Sequence, residues 1–301
     1  MGDPAARMVQ QLQVVEMLRQ MEQDATHIYI LGDLFDFWYE YVWPDSSKRE
    51  YEPVLEELSH ITRELHIPVD FFIGNHDIWT FGWLEKRTGM TIHRGNAEEI
   101  KPEGVTGVRI IAGHGDGLVP SDYMDKVPKE FRGKLRRFIR LRKFFHSKVP
   151  QMLFRLVPPV LGNAYGYNWA KHSRLKEMAK PYPYKGDDKE EVVLWAREQE
   201  GLRGLKGLKG LRGLKGLKGL NSSNSSNGER PTIYIFGHRH VAKEVEIGEG
   251  SRLYLLGETF KQWTFLTMEE VAKEGSENSA SELIVKTKLQ HVSTESSGVT
   301  K

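Results

Sequence analysis

The sequence predicts an α/β fold in which helices layer against a central sheet or a pair of sheets, with a helical cap inserted between strands. Three observations carry this expectation. Apolar residues recur first at helical and then at strand spacing, twice over, in the first part of the chain. A stretch rich in Lys, Arg and aromatics, with its own helical periodicity, then interrupts the alternation. Short strands separated by turn residues follow it.

Taken in order, Met8, Leu12, Val15, Leu18 and Met21 predict a first amphipathic helix, and "HIYILGD" a buried strand. Val54, Leu55, Leu58, Ile61 and Leu65 mark a second helix, "VDFFIGNHD" a second strand and "GVRIIAGHGD" a third. Within the interrupting stretch, residues 118 to about 197, "FRGKLRRFIRLRKFF" and "YNWAKHSRLKEMAK" read as helices of a cap. A fourth strand is "TIYIFGHRH", and "VAKEVEIG", "RLYLLGE" and "QWTFLTM" are three more. The expected division is a core of residues 1–117 and 229–270, a cap of residues 118–200, a low-complexity linker of residues 201–228 and a polar tail of residues 271–301.

The chain of 301 residues is long enough for one large domain with an insertion. Its 28% charged residues are ordinary for a soluble protein, and the lack of cysteine excludes disulfides and thiolate metal sites. No apolar run approaches the roughly 20 residues of a membrane span. The start "MGDPAARMVQQ" has no signal-peptide pattern, and Ala6 stands where myristoylation wants Ser or Thr. A cytoplasmic chain is expected. The repeat "GLRGLKGLKGLRGLKGLKGL" holds six cations, without which the formal charge falls from +2 to −4. Glycine at every third position without proline does not make a triple helix, and a glycine each turn costs an α-helix about 1 kcal/mol against alanine. With the flexible "NSSNSSNG" after it, the whole of residues 201–228 is expected to be a disordered surface insertion.

Four apolar strands end alike, in glycine and then a residue able to bind metal: "LGDLFD", "IGNHD", "AGHGD" and "FGHRH". A lone His-x-His is weak evidence, but four such ends are not. Ligands in α/β sheets gather outside the carboxyl ends of strands, so Asp33, Asn75, His114, His238 and His240 are expected at one edge. This mixed oxygen and nitrogen set suits manganese, iron or zinc better than calcium or magnesium. Two ions sharing Asp33 would neutralise charge on an attacked phosphorus.

"GDLFDFW", "GNHDIW", "HGDGL" and "GHRH" resemble, in order and spacing, four motifs of the calcineurin-like metallophosphoesterases. More narrowly, "GDLFDFWYEY", "GNHDIWTFGWLEKRTG", "HGDGLVPSDY", "WAKHSRLKE" and "LLGETFKQWTFLTM" are similar to the UDP-2,3-diacylglucosamine diphosphatases of lipid A synthesis, over about residues 1–200 and 230–270. The resemblance implies a β-sandwich flanked by helices and hydrolysis of a pyrophosphate to UMP and 2,3-diacylglucosamine 1-phosphate. It implies two divalent ions, manganese first and iron or zinc as alternatives. Asp33 would bridge them, Asn75, His114 and His238 would complete the second site, and His240 would serve the first. His76 would sit over the phosphorus, Asp77 would orient His76, and Asp36 would support its own loop. Asn75, Asp122 and, in the cap, Lys171, Ser173 and Arg174 would contact substrate. The implied partners are a glycolipid nucleotide and an anionic membrane at the cytoplasmic face of the inner membrane, with no nucleic acid; the number of chains stays open.

One departure matters. The family begins with a strand ending D-x-H-L-G, and no Asp-x-His precedes Asp33 here. The first metal then has only His240 and the shared Asp33, and is expected to be depleted in a chain truncated at its start. A metallophosphoesterase on another nucleotide or phosphodiester is the alternative. So is a non-catalytic scaffold on the same fold, like the metallophosphoesterase-fold subunit of retromer. In the cap, Leu135, Phe138, Leu141, Phe144 and Phe145 fit a helix lying on an anionic membrane; a nucleic-acid face and a plain solvated helix are the other readings. His27, His60, His66, His93, His146 and His172 read as surface or locally hydrogen-bonded. Trp38, Trp79, Trp83, Trp169 and Trp263 read as core or cap packing.

Overall fold

The computed structural model describes residues 4–105, 107–126, 129–179, 183–212, 230–248, 250–257, 264–272 and 283–291. Helix α1 (Pro4–Met21) precedes β1 (Ile28–Ile30), and α2 (Glu52–Arg63) precedes β2 (Val69–Phe72). Then come α3 (Trp83–Thr88), β3 (Thr91–His93), β4 (Glu98–Ile100) and β5 (Arg109–Gly113). The apolar stripes predicted from spacing explain the first half: Val15, Leu18, Val54, Leu55, Leu58 and Ile61 form one buried cluster with Ile28, Val69 and Phe71. Leu55, Leu58 and Ile61 are fully buried, each contributing about 1.5–3 kcal/mol. The stripe is shorter than its spacing suggests, because Met8 and Leu12 lie beyond the edge of the sheet cluster and remain exposed. The buried Glu40 carboxylate accepts the backbone N–H groups of Trp83 (3.0 Å) and Leu84 (2.9 Å), satisfying donors that open α3.

The inserted segment holds α4 (Tyr123–Lys126), α5 (Lys129–Phe145), α6 (Lys148–Phe154) and α7 (Pro159–Ala179). After it, α8 (Glu191–Arg212) leads to β6 (Thr232–Phe236), β7 (Lys243–Gly248) and β8 (Ser251–Leu255), and β9 (Thr264–Ala272) and β10 (Leu283–His291) end the series. Among the described residues one sheet is parallel with order β1-β2-β3, a second has order β4-β5-β6-β8-β7, with β4 and β7 antiparallel at its edges, and β9 and β10 form a separate two-stranded pair. Leu31 and Phe72 from the first sheet share a buried cluster with Ile110, Ala112, Ile233 and Ile235 of the second, so the sheets pack face to face. Val192, Val193 and Ala196 of α8 cover the outer face of the second sheet. This is the expected α/β sandwich, two sheets flanked by helices.

Three boundaries differ from expectation. Residues 191–200 pack with the core, since Val192, Val193 and Ala196 of α8 share a buried cluster with Tyr234 and Phe236 of β6 and Leu253 and Leu255 of β8. The same helix runs on through residues 201–212, where a disordered insertion was expected. Its first repeat unit is held down, with Arg203 donating to Thr232 Oγ1 and to the Arg230 carbonyl, both at 2.7 Å. These anchors offset the low helix propensity of glycine; residues 213–229 lie outside the described residues. The polar tail contains β10, paired antiparallel with β9 from Leu283 opposite Ala272 to His291 opposite Thr264. Main-chain pairing with a neighbouring strand does not need an apolar sequence. No helix among the described residues is long and apolar enough to cross a membrane.

Candidate metal centre

The carboxyl ends of β1 and β2 in one sheet, and of β5 and β6 in the other, meet at one edge of the sandwich. There the backbone is strained. Four non-glycine residues among those described have left-handed φ, and three are predicted ligands: Asp33 (φ 50), His238 (φ 58) and His240 (φ 51). Such conformations cost on the order of 1–3 kcal/mol each and persist where the surroundings hold them. The loops also approach closely. A Cβ on Gly74 would fall 2.2 Å from Asp33 Oδ1, so glycine is needed there for contact between the β1 and β2 loops.

His114 is the hub and is 1% exposed. Its Nδ1–H donates to the Leu31 carbonyl at 2.8 Å; since a carbonyl only accepts, the ring hydrogen sits on Nδ1. Nε2 then lies 3.2 Å from Asp33 Oδ2, 3.2 Å from Asn75 Oδ1 and 3.2 Å from His238 Nδ1. With that hydrogen on Nδ1, Nε2 of the neutral ring offers only a lone pair, and it faces the oxygens of Asp33 and Asn75, which also only accept. A shared cation would resolve the conflict. Donors about 2.1 Å from a common ion stand about 3.0–3.4 Å apart in octahedral or tetrahedral sets, as these do. The other oxygen of Asp33 accepts the His76 N–H at 2.8 Å, which fixes the carboxylate. Burial opposes its charge, yet His114 and the His76 N–H hold the Asp33 carboxyl far below the usual range. Reciprocally, and against burial, Asp33 raises His114 to about 9, whereas burial and then the charge on His114 push His238 down to about 4. Among the described residues, Asp33, His114 and His238 form the compact group of three His, Asp or Glu side chains able to hold an ion, with Asn75 beside them.

His240, the fifth predicted ligand, follows in the same left-handed turn but is outside that compact group. The predicted role of Asp77 needs correction. Its carboxylate is fully buried and accepts the N–H groups of Leu34 (3.0 Å) and Gly74, tying the β1 and β2 loops together. Burial, and then the Asp33 charge, push it up to about 7. The ring of His76 is instead oriented by the Asp36 carbonyl, 2.7 Å from Nδ1. Trp169, read as packing, is 45% exposed and lies with its ring 5.2 Å from that of His76, so α7 reaches over the site. Lys171 is exposed and, two positions from Trp169, projects from another face of α7. Asp122 is exposed ahead of α4, its carbonyl accepting the Asp125 N–H at 2.9 Å. The side chains of Ser173 and Arg174, and all of Trp263, lie outside the described residues.

Sequence reasoning missed two ion pairs that brace the site. Arg142 of α5 grips the buried Asp116 with two hydrogen bonds, of 2.7 and 3.0 Å, joining the cap to the loop of His114. Arg239, between the two histidines, pairs with the buried Glu190 just before α8. The only signal for either was an arginine or aspartate beside a motif histidine; their partners lie far away in sequence.

No protein-family model matches the chain. It is similar to curated proteins named UDP-2,3-diacylglucosamine hydrolase. With that of Porphyromonas gingivalis it is 24% identical over 253 residues, 80% of this chain and 79% of the relative. With that of Proteus mirabilis it is 29% identical over 144 residues, 47% of the chain and 51% of the relative. With that of Shewanella loihica it is 33% identical over 138 residues, 44% of the chain and 50% of the relative. The chain thus spans about four-fifths of the first relative and about half of the other two.

Proposed function

We propose, taking as premise that this chain is a relative of the UDP-2,3-diacylglucosamine hydrolases, that it is a metal-dependent hydrolase acting on UDP-2,3-diacylglucosamine. Water adds to one phosphorus and the bridging P–O bond breaks, giving UMP and 2,3-diacylglucosamine 1-phosphate. The observation that carries the reading is His114 Nε2 placed 3.2 Å from each of three other ligand atoms, a polar conflict that a cation relieves. A divalent ion held by Asp33, Asn75, His114 and His238, manganese in this reading, supplies Lewis-acid polarisation of a phosphoryl oxygen. His240 would share Asp33 in holding a second.

The chain's own residues supply the rest. The Leu31 carbonyl fixes the tautomer of His114 and keeps Nε2 as the ligand atom. The Nδ1–H of His76 donates to the Asp36 carbonyl, which fixes the ring; in the imidazolium form, with a hydrogen on both nitrogens, Nε2 donates to the charge that builds on the transferring group. Trp169 over His76 limits water at that point. The cap offers apolar surface for acyl chains and for a membrane: Val149, Met152, Leu153, Val160 and Leu161 are all more than 60% exposed. With the cations of α5 beside them, this supports peripheral binding at the cytoplasmic face of an anionic membrane.

The test is UMP release from UDP-2,3-diacylglucosamine in detergent micelles with manganese. Release that disappears with a chelator is expected. A chain that binds manganese yet releases no UMP, or hydrolyses a soluble nucleotide instead, overturns the substrate assignment.

A further inference from the structure

The geometry points to Arg239 and Glu190 as a positioning pair that holds the histidine turn in the shape needed to present His238 to the metal; this rests on the metal-centre reading above. Arg239 lies between two residues in left-handed conformation, His238 (φ 58) and His240 (φ 51), neither of which has the freedom of glycine. Its own N–H bonds back to the Gly237 carbonyl at 2.6 Å, so the turn is tight as well as strained. A backbone of this kind relaxes unless it is held from outside.

The Arg239 side chain is the hold. Its Nε and Nη2 both reach the Glu190 carboxylate, the second at 3.2 Å from Oε2. The acid is 1% exposed and the arginine 21%. Two parallel bonds from a planar fork fix direction as well as distance, which a lysine would not do. The acid is itself immobile. Its Oε2 accepts the Lys185 N–H at 3.2 Å, its N–H donates to the Gly186 carbonyl at 2.9 Å, and its carbonyl accepts the Leu194 N–H at 3.0 Å. Val192, Val193 and Ala196 are buried against the sheet, and the Trp195 ring lies 6.1 and 5.9 Å from the rings of Tyr234 and Phe236. The histidine turn is therefore tied to the helix that covers its own strand. Binding by a His-x-His pair sets no demand on the middle residue; here that residue adds rigidity.

Manganese titration followed by electron paramagnetic resonance, beside thermal unfolding of the same samples, tests the pair. Arg239→Lys keeps the charge and loses the fork. The double variant Glu190→Leu with Arg239→Met removes both charges while keeping apolar volume, a replacement that is commonly neutral or stabilising. We expect both to bind manganese about 10–100-fold more weakly than wild type, with the melting temperature of the double variant unchanged or higher. Should Arg239→Lys lose its fold, the double variant decides. Wild-type affinity in the folded double variant overturns the proposal, even if its melting temperature falls, because a merely structural pair would do that. Failure of the wild-type chain to bind manganese overturns the metal-centre reading itself, and the wild-type titration alone shows it.

Discussion

Among the described residues, two clusters of histidine and carboxylate look alike in composition and differ in polarity. At the loop edge, Asp33, His114 and His238 bring ligand atoms together that cannot all satisfy one another, on a backbone that is left-handed at two of the three. Between β1, β2, β3 and β4, His27, Asp70, His93 and Glu98 form a chain in which each contact joins a ring nitrogen to a carboxylate oxygen. His93 Nε2 lies 2.8 Å from Asp70 Oδ1, His93 Nδ1 lies 2.9 Å from Glu98 Oε2, and His27 Nε2 meets Asp70 Oδ2. The rings stack on Tyr29 (4.2 Å) and Phe72 (4.5 Å), and Asp70, His93 and Glu98 sit in regular strands. Residue type alone does not separate a metal site from a hydrogen-bonded brace. Unmatched lone pairs and strained backbone do.

The sharpest way to break this comparison is to remove one carboxylate from each cluster. Asp33→Ala deletes the acid that touches both His114 and the His76 N–H, and manganese affinity should fall about a hundredfold or more. Asp70→Ala should leave that affinity within about threefold of wild type. Equal losses in calorimetric titrations of the two variants would mean that the clusters are not distinct in function. Next in size is His76→Gln, which keeps a polar group beside the Asp36 carbonyl but removes the imidazole. UMP release should fall about 10²–10³-fold, with manganese affinity little changed. A parallel loss of affinity would place His76 among the ligands.

The edge cluster was legible in the sequence because each member follows an apolar strand and a turn, a local signal repeated four times. Asp33, Asn75, His114 and His238 came together as that pattern required. His240 lies in the same left-handed turn and outside the compact group; the resemblance assigns it to the other metal. The brace was invisible for the opposite reason. Asp70 sits inside a strand, and His27, His93 and Glu98 come from other segments, so nothing local marks them. Glu190 and Asp116 were missed likewise, as their arginine partners are 49 and 26 residues away. The extension of α8 into the glycine-rich repeat was misread because local propensity pointed away from helix, whereas Arg203 docks on β6.

A smaller effect should separate the clusters in stability. Asp70→Asn replaces a carboxylate that serves two histidines by an amide that can accept on one oxygen only. We expect a loss of about 1–3 kcal/mol in urea unfolding of the metal-free chain. Asp33→Asn removes the carboxylate that pairs with His114 and is held far below the usual range, so it should cost at least as much in the same experiment. A smaller cost for Asp33→Asn would show that the edge cluster contributes stability only with an ion bound.

The smallest expected effect is a pH dependence confined to the brace. Although burial opposes it, His27 and His93 hold the Asp70 carboxyl below its ordinary 3.8. Burial also opposes the charge on His93, yet Glu98 and Asp70 raise it above its ordinary 6.5. A depressed acid stabilises above its unfolded value and loses that contribution as pH falls through the folded one. A raised histidine stabilises below its unfolded value and loses the contribution as pH rises through the folded one. The two windows overlap between about pH 4 and 6.5, so the brace should be stronger at pH 5 than at pH 8.5, by at most about 1 kcal/mol for groups that are partly exposed. The edge cluster titrates in the wild type and in Asp70→Asn alike, so the stability difference between these two proteins isolates the brace. That difference should shrink from pH 5 to pH 8.5; if it is equal at both, the network consists of hydrogen bonds indifferent to protonation, and the charge on His93 has no part in holding β2, β3 and β4 together.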